Sequence, residues 1–267
     1  MTQAIDELLG EVSNAVSASK EQTIASQALA QDVAGKMGEI DDRINNAVNE
    51  ITEAIITNNL VKYYIDAIDG DDSNSGSSAS PLQTIKRGLT ICPPGSTANI
   101  YLKRSQRHLI SSNIQCYALS LSVIPWGGNT DTSGSAHYDT STPIVEWNAT
   151  IKASGGVVFG AFKSSLIIDV GQNGALEYYS TAGRFTLARS KILIDRPSST
   201  PFIGSDFDYL NAVKVSLRDA TIEKISGYLS RRGCILSADS VIGVSTIEEL
   251  VLGATRDNTL TNMNFAY

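Results

Sequence analysis

Carboxylates that follow apolar runs are the first catalytic candidates in this sequence, since a closely held pair can cleave a glycosidic bond. The reaction needs two carboxyl groups about 5–10 Å apart. Asp169 and Asp195 end two similar apolar runs, so consecutive structural repeats can stack them about 5 Å apart. Alternatively, both residues only end strands at turns, and no catalytic residue is assigned. The other carboxylates considered are Glu146, Glu177, Asp206 and Asp208.

Other catalytic and cofactor motifs do not occur in the sequence. It has two histidines, no H-E-x-x-H, no G-x-S-x-G elbow, no P-loop and no G-x-G-x-x-G pattern. We therefore expect no cofactor and favour a protein that is not an enzyme. If it is an enzyme, polysaccharide hydrolysis or lysis is the expected reaction.

A cluster of aspartates, Asp66, Asp69, Asp71 and Asp72, loosely resembles a calcium-binding loop. Hard cations take clustered oxygen ligands, but the EF-hand spacing is not met. Aspartate is also common in turns, because its side chain bonds its own backbone. We expect turn formation and no metal, with a metal site as the alternative.

The three cysteines, Cys92, Cys116 and Cys234, are widely spaced and form no C-x-x-C pair. An odd number excludes a fully paired set of disulfides within the chain. We predict three buried free thiols.

Residues 125–147 form a long polar segment, rich in Gly, Ser and Thr, with a tryptophan near each end. Such a length is uncommon for a loop that only connects two strands. Aromatic rings beside polar side chains suit sugars, which offer an apolar ring face and a hydroxyl rim. The alternative is that both tryptophans are buried anchors. The candidate sugar-binding residues are Trp126, Tyr138, Trp147, Tyr178 and Tyr179, with residues 207–209 as a lesser segment.

The composition divides the chain near Tyr63. The protein has 267 residues, 18% of them charged, and a net charge of −7. This balance argues against nucleic acid or an anionic membrane as the main partner, because both need a basic surface. Residues 1–62 hold ten acidic and four basic side chains and contain no proline or aromatic residue. The rest of the chain is therefore nearly neutral.

Residues 1–62 carry a heptad pattern, which predicts a coiled-coil stalk. A step of four residues from Val33 to Met37 is a stutter, and Gly35 and Gly38 beside it allow a bend or a break. Isoleucine at both a and d favours three or more strands, so we expect a parallel trimer. A loose, partly disordered tail is the alternative. The expected seam residues are Ile5, Leu8, Val12, Leu29, Val33, Met37, Ile40, Ile44 and Ile51.

The segment 63–89 carries a more specific pattern. A strand ending in aspartate is followed by G-D-D-S-x-S-G-S at residues 70–77 and by P-x-x-T-I-x-x-x-L at residues 81–89. It resembles the opening segment of pectate-lyase-like right-handed parallel β-helices, and especially that of bacteriophage tailspike and tail-fibre proteins. Pro81 is predicted to open a short helix whose apolar residues, Leu82, Ile85 and Leu89, share one face. The resemblance implies that this helix covers the open end of the solenoid.

Strand-like runs in residues 93–267 suggest a solenoid. Apolar runs ending in aspartate recur at steps of roughly 20–26 residues, about one coil each. Their ranges are 165–169, 191–195, 213–219 and 234–239. Similar runs also occur in β-sandwiches, which is the alternative fold. We predict a mainly β protein: a stalk at 1–62, an opening segment with capping helix at 63–92, and a right-handed β-helix body at 93–267.

These observations favour a homotrimeric phage tail fibre that attaches to bacterial surface polysaccharide without cleaving it. The body is short beside polysaccharide-cleaving tailspikes, which favours binding over cleavage. The acidic N-terminus does not resemble a signal peptide, so we expect assembly in the host cytoplasm and a place in the virion tail, joined to a tail or baseplate protein. We expect no nucleic-acid partner and no membrane insertion. The alternatives are a short tailspike depolymerase and a purely structural virion spike.

Overall fold

The structure is a computed structural model. It describes residues 2–127, 138–160, 165–179, 183–197, 200–205, 213–231, 234–238, 241–255 and 260–261, with the backbone alone for 2, 4, 51–58, 205, 241 and 260. The chain forms two compact units, Met1–Ile56 and Thr57–Tyr267. The first unit is helical, and the second contains all the strands described below.

A single helix, α1, runs from Thr2 to Asn59. It continues through Gly35 and Gly38, so the break that these glycines allow is not present. The helix contains no proline to remove a backbone hydrogen bond. Every described seam side chain is between 47% and 64% exposed, and Ile51 lies outside the described side chains.

Twenty short strands and two short helices, α2 (Ile85–Thr90) and α3 (Ile247–Leu250), make up the described part of the second unit. The first sheet contains β1 (Leu60–Ile65), β2 (Thr97–Lys103), β5 (Ser120–Trp126), β8 (Gly156–Phe159), β11 (Arg184–Ala188), β14 (Lys214–Arg218), β17 (Ile235–Ala238) and β20 (Leu260–Thr261). The second sheet contains β3 (Arg107–Ile110), β6 (Ile144–Trp147), β9 (Ile167–Val170), β12 (Lys191–Asp195), β15 (Ala220–Ser226) and β18 (Val241–Ile242). The third sheet contains β4 (Ile114–Cys116), β7 (Thr150–Ala153), β10 (Ala175–Tyr178) and β13 (Ile203–Ser205), followed by the pair β16 (Ser230–Arg231) and β19 (Val251–Leu252).

All paired strands are parallel and lie three places apart along the chain, apart from β1, which pairs with β2. The pair β16–β19 extends the third sheet, because the amide of Ile203 donates to the carbonyl of Leu229 at 2.8 Å. The described strands thus form six coils of three strands each, with β1 before them and β20 after them. This architecture is a parallel β-helix-like solenoid and excludes a β-sandwich.

The strands alternate between buried and half-buried residues, because successive side chains point to opposite faces. The inward residues form one apolar core that runs through the coils. Its aromatic centre joins Trp147, Phe159, Phe185 and Phe202, whose neighbouring rings have centroids 5.0–6.0 Å apart. The three cysteines are buried and free, as predicted.

Helix α2 covers the open end of the solenoid by packing against β1, β3 and β4, the first strands of the three sheets. Thr84 caps the helix, since its side chain accepts a hydrogen bond from the amide of Arg87 at 3.1 Å. The helix therefore begins at Ile85. The sequence had predicted a start at Pro81. Ile85 and Leu89 point into the core. A capped end is shielded from pairing with another chain.

The four apolar runs identified in the sequence belong to two sheets. The runs 165–169 and 191–195 overlap β9 and β12 of the second sheet, whereas 213–219 and 234–239 contain β14 and β17 of the first. Asp169 lies in register with Leu193, two positions before Asp195. Asp169 and Asp195 therefore do not stack as the sequence suggested.

Candidate functional site

An aromatic cluster lies on the outer face of the first sheet, close to the capped end. Tyr64 on β1 and Tyr101 on β2 are in register, and their rings stack with centroids 4.7 Å apart and an interplanar angle of 12°. Trp126, the last residue of β5, meets Tyr64 edge to face at 5.1 Å. All three side chains are half-buried, so part of each ring surface stays open to solvent.

The position of each ring follows from strand alternation. Ile65, Ile100 and Leu102 point into the core, so the neighbouring Tyr64 and Tyr101 point outwards. The indole Nε1 of Trp126 donates to the carbonyl oxygen of Ile65 at 3.3 Å, which orients the ring against the sheet. The sequence pattern predicted Trp126 as a binding residue but not the two tyrosines. Their alternation with inward apolar residues is the signal that could have identified them.

Charged and amide side chains lie beside this aromatic cluster. Lys103, in register with Trp126, contacts the carboxylate of Asp66 and lies 3.4 Å from that of Asp69. Asp66 is buried and also accepts hydrogen bonds from Gln106 and from the backbone amides of Ile68 and Asp69. Burial raises the pKa of Asp66, but these hydrogen bonds outweigh it and hold the pKa well below its usual range.

The other aspartates of the opening segment also form turn contacts. Asp72 accepts hydrogen bonds from the amides of Gln83 and Thr84, at 3.0 and 2.8 Å, and so ties the loop to the start of α2. Asp71 accepts from the amide and hydroxyl of Ser73 at 2.8 and 2.7 Å. Within the described ranges, no group of three or more His, Cys, Asp or Glu side chains is arranged to hold a metal ion.

Two of the candidate sugar-binding residues are buried. Trp147 and Tyr178 are both 0% exposed. Trp147 donates to the carbonyl oxygen of Ala149 at 2.7 Å, and Tyr178 donates to that of Arg184 at 2.7 Å. Burial raises the pKa of Tyr178, in keeping with a phenol packed in the core. Since neither side chain reaches solvent, we leave both out of the candidate site.

The remaining two tyrosines are half-buried and lie apart from the aromatic cluster. The Tyr138 hydroxyl donates to the Thr221 hydroxyl, on the second sheet, at 3.5 Å. Tyr179 follows β10 of the third sheet, and its ring lies 5.4 Å from the Lys152 ammonium. Residues 128–137, the centre of the polar segment between the two tryptophans, and residues 207–209 lie outside the described residues.

The structure pairs carboxylates differently from the sequence analysis. Asp169 lies in register with Glu146 on the outer face of the second sheet, and Arg107 contacts both carboxylates, that of Asp169 at 3.6 Å. Asp195 instead accepts hydrogen bonds from Gln172 and Ser226 at 3.3 and 2.8 Å. The other candidates are no better placed: Glu177 pairs with Lys152 at 3.3 Å, and Asp206 and Asp208 lie outside the described residues.

No protein-family model, curated protein or solved structure matches this chain. Among the described residues, no helix is long and apolar enough to cross a membrane. The geometry of the chain itself therefore carries the functional argument.

Proposed function

We propose that the chain is a homotrimeric phage tail fibre that attaches a virion to bacterial surface polysaccharide without cleaving it. One observation carries the proposal: a 58-residue helix with an exposed apolar stripe precedes a capped parallel solenoid in the same chain. In this proposal the helix assembles the fibre and joins a tail or baseplate protein. The solenoid then presents its outer faces to the host.

The exposed stripe of α1 supports the proposed trimer. Met37, Ile40 and Ile44 are each more than half exposed, and they follow one another at heptad spacing. Burial of apolar surface contributes about 25 cal/mol per Å², so a helix with such a stripe gains stability by pairing with further copies of itself. Isoleucine at both a and d positions favours three or more strands.

The aromatic cluster supports polysaccharide binding. Tyr64, Tyr101 and Trp126 offer ring surfaces on an outer sheet face, with Lys103 and Asp69 beside them as hydrogen-bonding groups. Sugars bind to such combinations of an apolar platform and a few polar groups. Three copies in one trimer turn a weak contact into firm attachment, because the second and third contacts form at high effective concentration.

Cleavage of the polysaccharide is the second candidate, and the register of Glu146 with Asp169 is the observation that favours it. Two neighbouring carboxylates are the minimum for a glycosidase. Here, however, Arg107 contacts both of them, and they stand on a sheet face. We therefore prefer binding without cleavage.

Three measurements on the full chain test the proposal. Light scattering should give three times the chain mass of 28.5 kDa. Purified capsular polysaccharide or O-antigen from at least one bacterial strain should bind, and its size should not fall during incubation. A monomer, or no binding across a broad strain panel, would overturn the proposal. A fall in polymer size that is abolished by Asp169→Asn would establish the second candidate instead.

A further inference from the structure

A polar groove of about 540 Å³ lies at the corner where the second sheet turns into the third. Its lining comes from four successive coils: Asn113 lies between β3 and β4, Asn148 between β6 and β7, Asn173 between β9 and β10, and Thr200 between β12 and β13. Because strands of neighbouring coils are about 4.8 Å apart, the groove extends about 14 Å along the solenoid. This length suits a short oligosaccharide better than a single sugar.

The lining of the groove is rich in amide and hydroxyl groups. Amide side chains both donate and accept hydrogen bonds, as sugar hydroxyls do. Asn113 is held in place because its Oδ1 accepts from the amide of Thr150 at 3.0 Å. Gly171 leaves room for Asn148, since a Cβ at Gly171 would lie 2.0 Å from the Asn148 Oδ1. The groove is thus shaped by backbone and side-chain contacts within the solenoid.

Arg196 lines the groove and is only 7% exposed. Its Nε and Nη1 atoms are buried and have no hydrogen-bond partner among the described residues. A buried charged donor without a partner is costly, and a carboxylate is the acceptor that fits a guanidinium best, through two parallel hydrogen bonds. Burial lowers the pKa of Arg196, and the nearby charge of Glu177 opposes that effect.

The acidic side chains close to Arg196 are already engaged. Glu177 also lines the groove, but its carboxylate pairs with Lys152 at 3.3 Å. Asp195, the residue before Arg196, accepts hydrogen bonds from Gln172 and Ser226. The described carboxylates thus leave the Nε and Nη1 atoms of Arg196 without a hydrogen-bond acceptor.

We propose that this groove binds an acidic stretch of polysaccharide, with Arg196 holding the carboxylate of a uronic-acid-type sugar. The site is separate from the aromatic cluster, which lies on the first sheet. The inference rests on the proposed polysaccharide binding and specifies its chemistry. A protein with both surfaces distinguishes acidic polymers from neutral ones.

The test is an array of bacterial capsular polysaccharides, each printed in its native form and with its carboxyl groups chemically reduced to alcohols. The full-length chain should bind at least one acidic polymer and lose about tenfold to 100-fold in affinity when that polymer is reduced. Arg196→Gln should bind the acidic polymer as weakly as the wild type binds the reduced polymer. Arg218→Gln makes the same change at an exposed position of the first sheet and should bind normally.

A second variant covers the case in which Arg196→Gln fails to fold. Asn173→Trp places a large side chain in the groove at an exposed position, so it should block acidic polymers without disturbing the core. The inference is overturned if the wild type binds native and reduced polymers equally, or if a folded Arg196→Gln or Asn173→Trp binds acidic polymers normally. If the wild type binds no polymer at all, the proposed function is overturned together with the inference. If it binds polymers without any preference for carboxyl groups, only the inference is overturned.

Discussion

Tyr64 stacks on Tyr101 with their ring centroids 4.7 Å apart, although 37 residues separate them in the chain. The contact exists because β1 pairs with β2 in a register that places the two tyrosines side by side on the outer face. Trp126 then adds an edge contact from β5, the next strand of the same sheet. Three consecutive strands of the first sheet thus place three aromatic rings on one surface.

We expect Trp126→Ala to weaken the proposed polysaccharide binding about tenfold, because a central tryptophan often contributes more than 1 kcal/mol at a binding surface. Tyr64→Ala should have a similar effect, since it removes the ring that Trp126 contacts. Affinity is measured by calorimetry on a purified binding polysaccharide. Tyr117→Ala is the matched control, because Tyr117 is half exposed and lies outside this cluster. Equal losses in all three variants would contradict the assignment.

If the proposed trimer forms through the heptad seam, the double variant Ile40→Asp/Ile44→Asp should be monomeric, because it introduces like charges into that apolar seam. The control, Asn45→Asp/Asn49→Asp, adds the same charge to the helix at positions outside the seam. Analytical ultracentrifugation measures the mass of each. A trimer that survives the first change would show that the heptad seam does not hold the assembly together.

His108 should make the protein less stable as the pH falls. Burial lowers its pKa, while a hydrogen bond to the Lys103 carbonyl and the charge of Asp66 act in the opposite direction. The unfolded chain therefore binds a proton near pH 6.5 that the folded chain does not, so the free energy of unfolding decreases below that pH. His108→Leu should flatten this slope in urea titrations between about pH 7 and pH 5. If the pH dependence of the free energy of unfolding did not change, His108 would not be its cause.

Gly70→Ala should destabilise the solenoid by about 3 kcal/mol or more, because it forces a main-chain shift. A Cβ at Gly70 would lie 2.3 Å from the carbonyl oxygen of Leu82 and 2.4 Å from that of Asp66. Gly204→Ala is the control, since a Cβ there meets no atom within 4 Å. Urea unfolding at one fixed protein concentration compares the two. Equal stability in the two variants would show that the opening turn adapts at little cost.

The three thiols should react slowly in the native protein. All are buried, and burial, together with the nearby Cys116, raises the pKa of Cys92 to about 12. We expect a colorimetric thiol reagent at pH 8 to react at least about 100-fold more slowly than after unfolding, because local opening must come first. After unfolding, the reagent should release three equivalents of its coloured product per chain, one for each cysteine. Fast reaction of one thiol in native protein would place it at the surface.

Periodicity made the coarse organisation readable from the sequence. The heptads predict the long helix, and the alternation of apolar and polar residues predicts strands. The capped parallel solenoid is what the resemblance of the segment 63–89 implies. Helix α2 begins at Ile85, four residues after the predicted start at Pro81, because Thr84 is its N-cap. Propensity alone cannot place this boundary, because Asp72, twelve residues away, holds Thr84 in position.

The candidate site residues were much harder to predict from the sequence than the fold. Trp126 and Trp147 look equivalent in the sequence, yet one borders an outer surface and the other fills the core. The difference is whether the residue occupies an inward-facing or an outward-facing position of its strand, which depends on where the strand begins. Likewise, Asp169 has Glu146 as its neighbour and not Asp195, because register is set by pairing between coils.

Local spacing of side chains in the sequence predicts the long helix and the alternating strands, and the resemblance of the segment 63–89 to β-helix opening segments predicts the capped solenoid. Strand pairing brings distant residues together: Tyr64 with Tyr101 and Trp126, and Glu146 with Asp169. The stacking of coils also places Arg196 in one groove with asparagines of three earlier coils. The physical reason is that a solenoid brings together residues some 20–40 positions apart. A shift of one residue in the register or length of a coil moves a side chain to the opposite face.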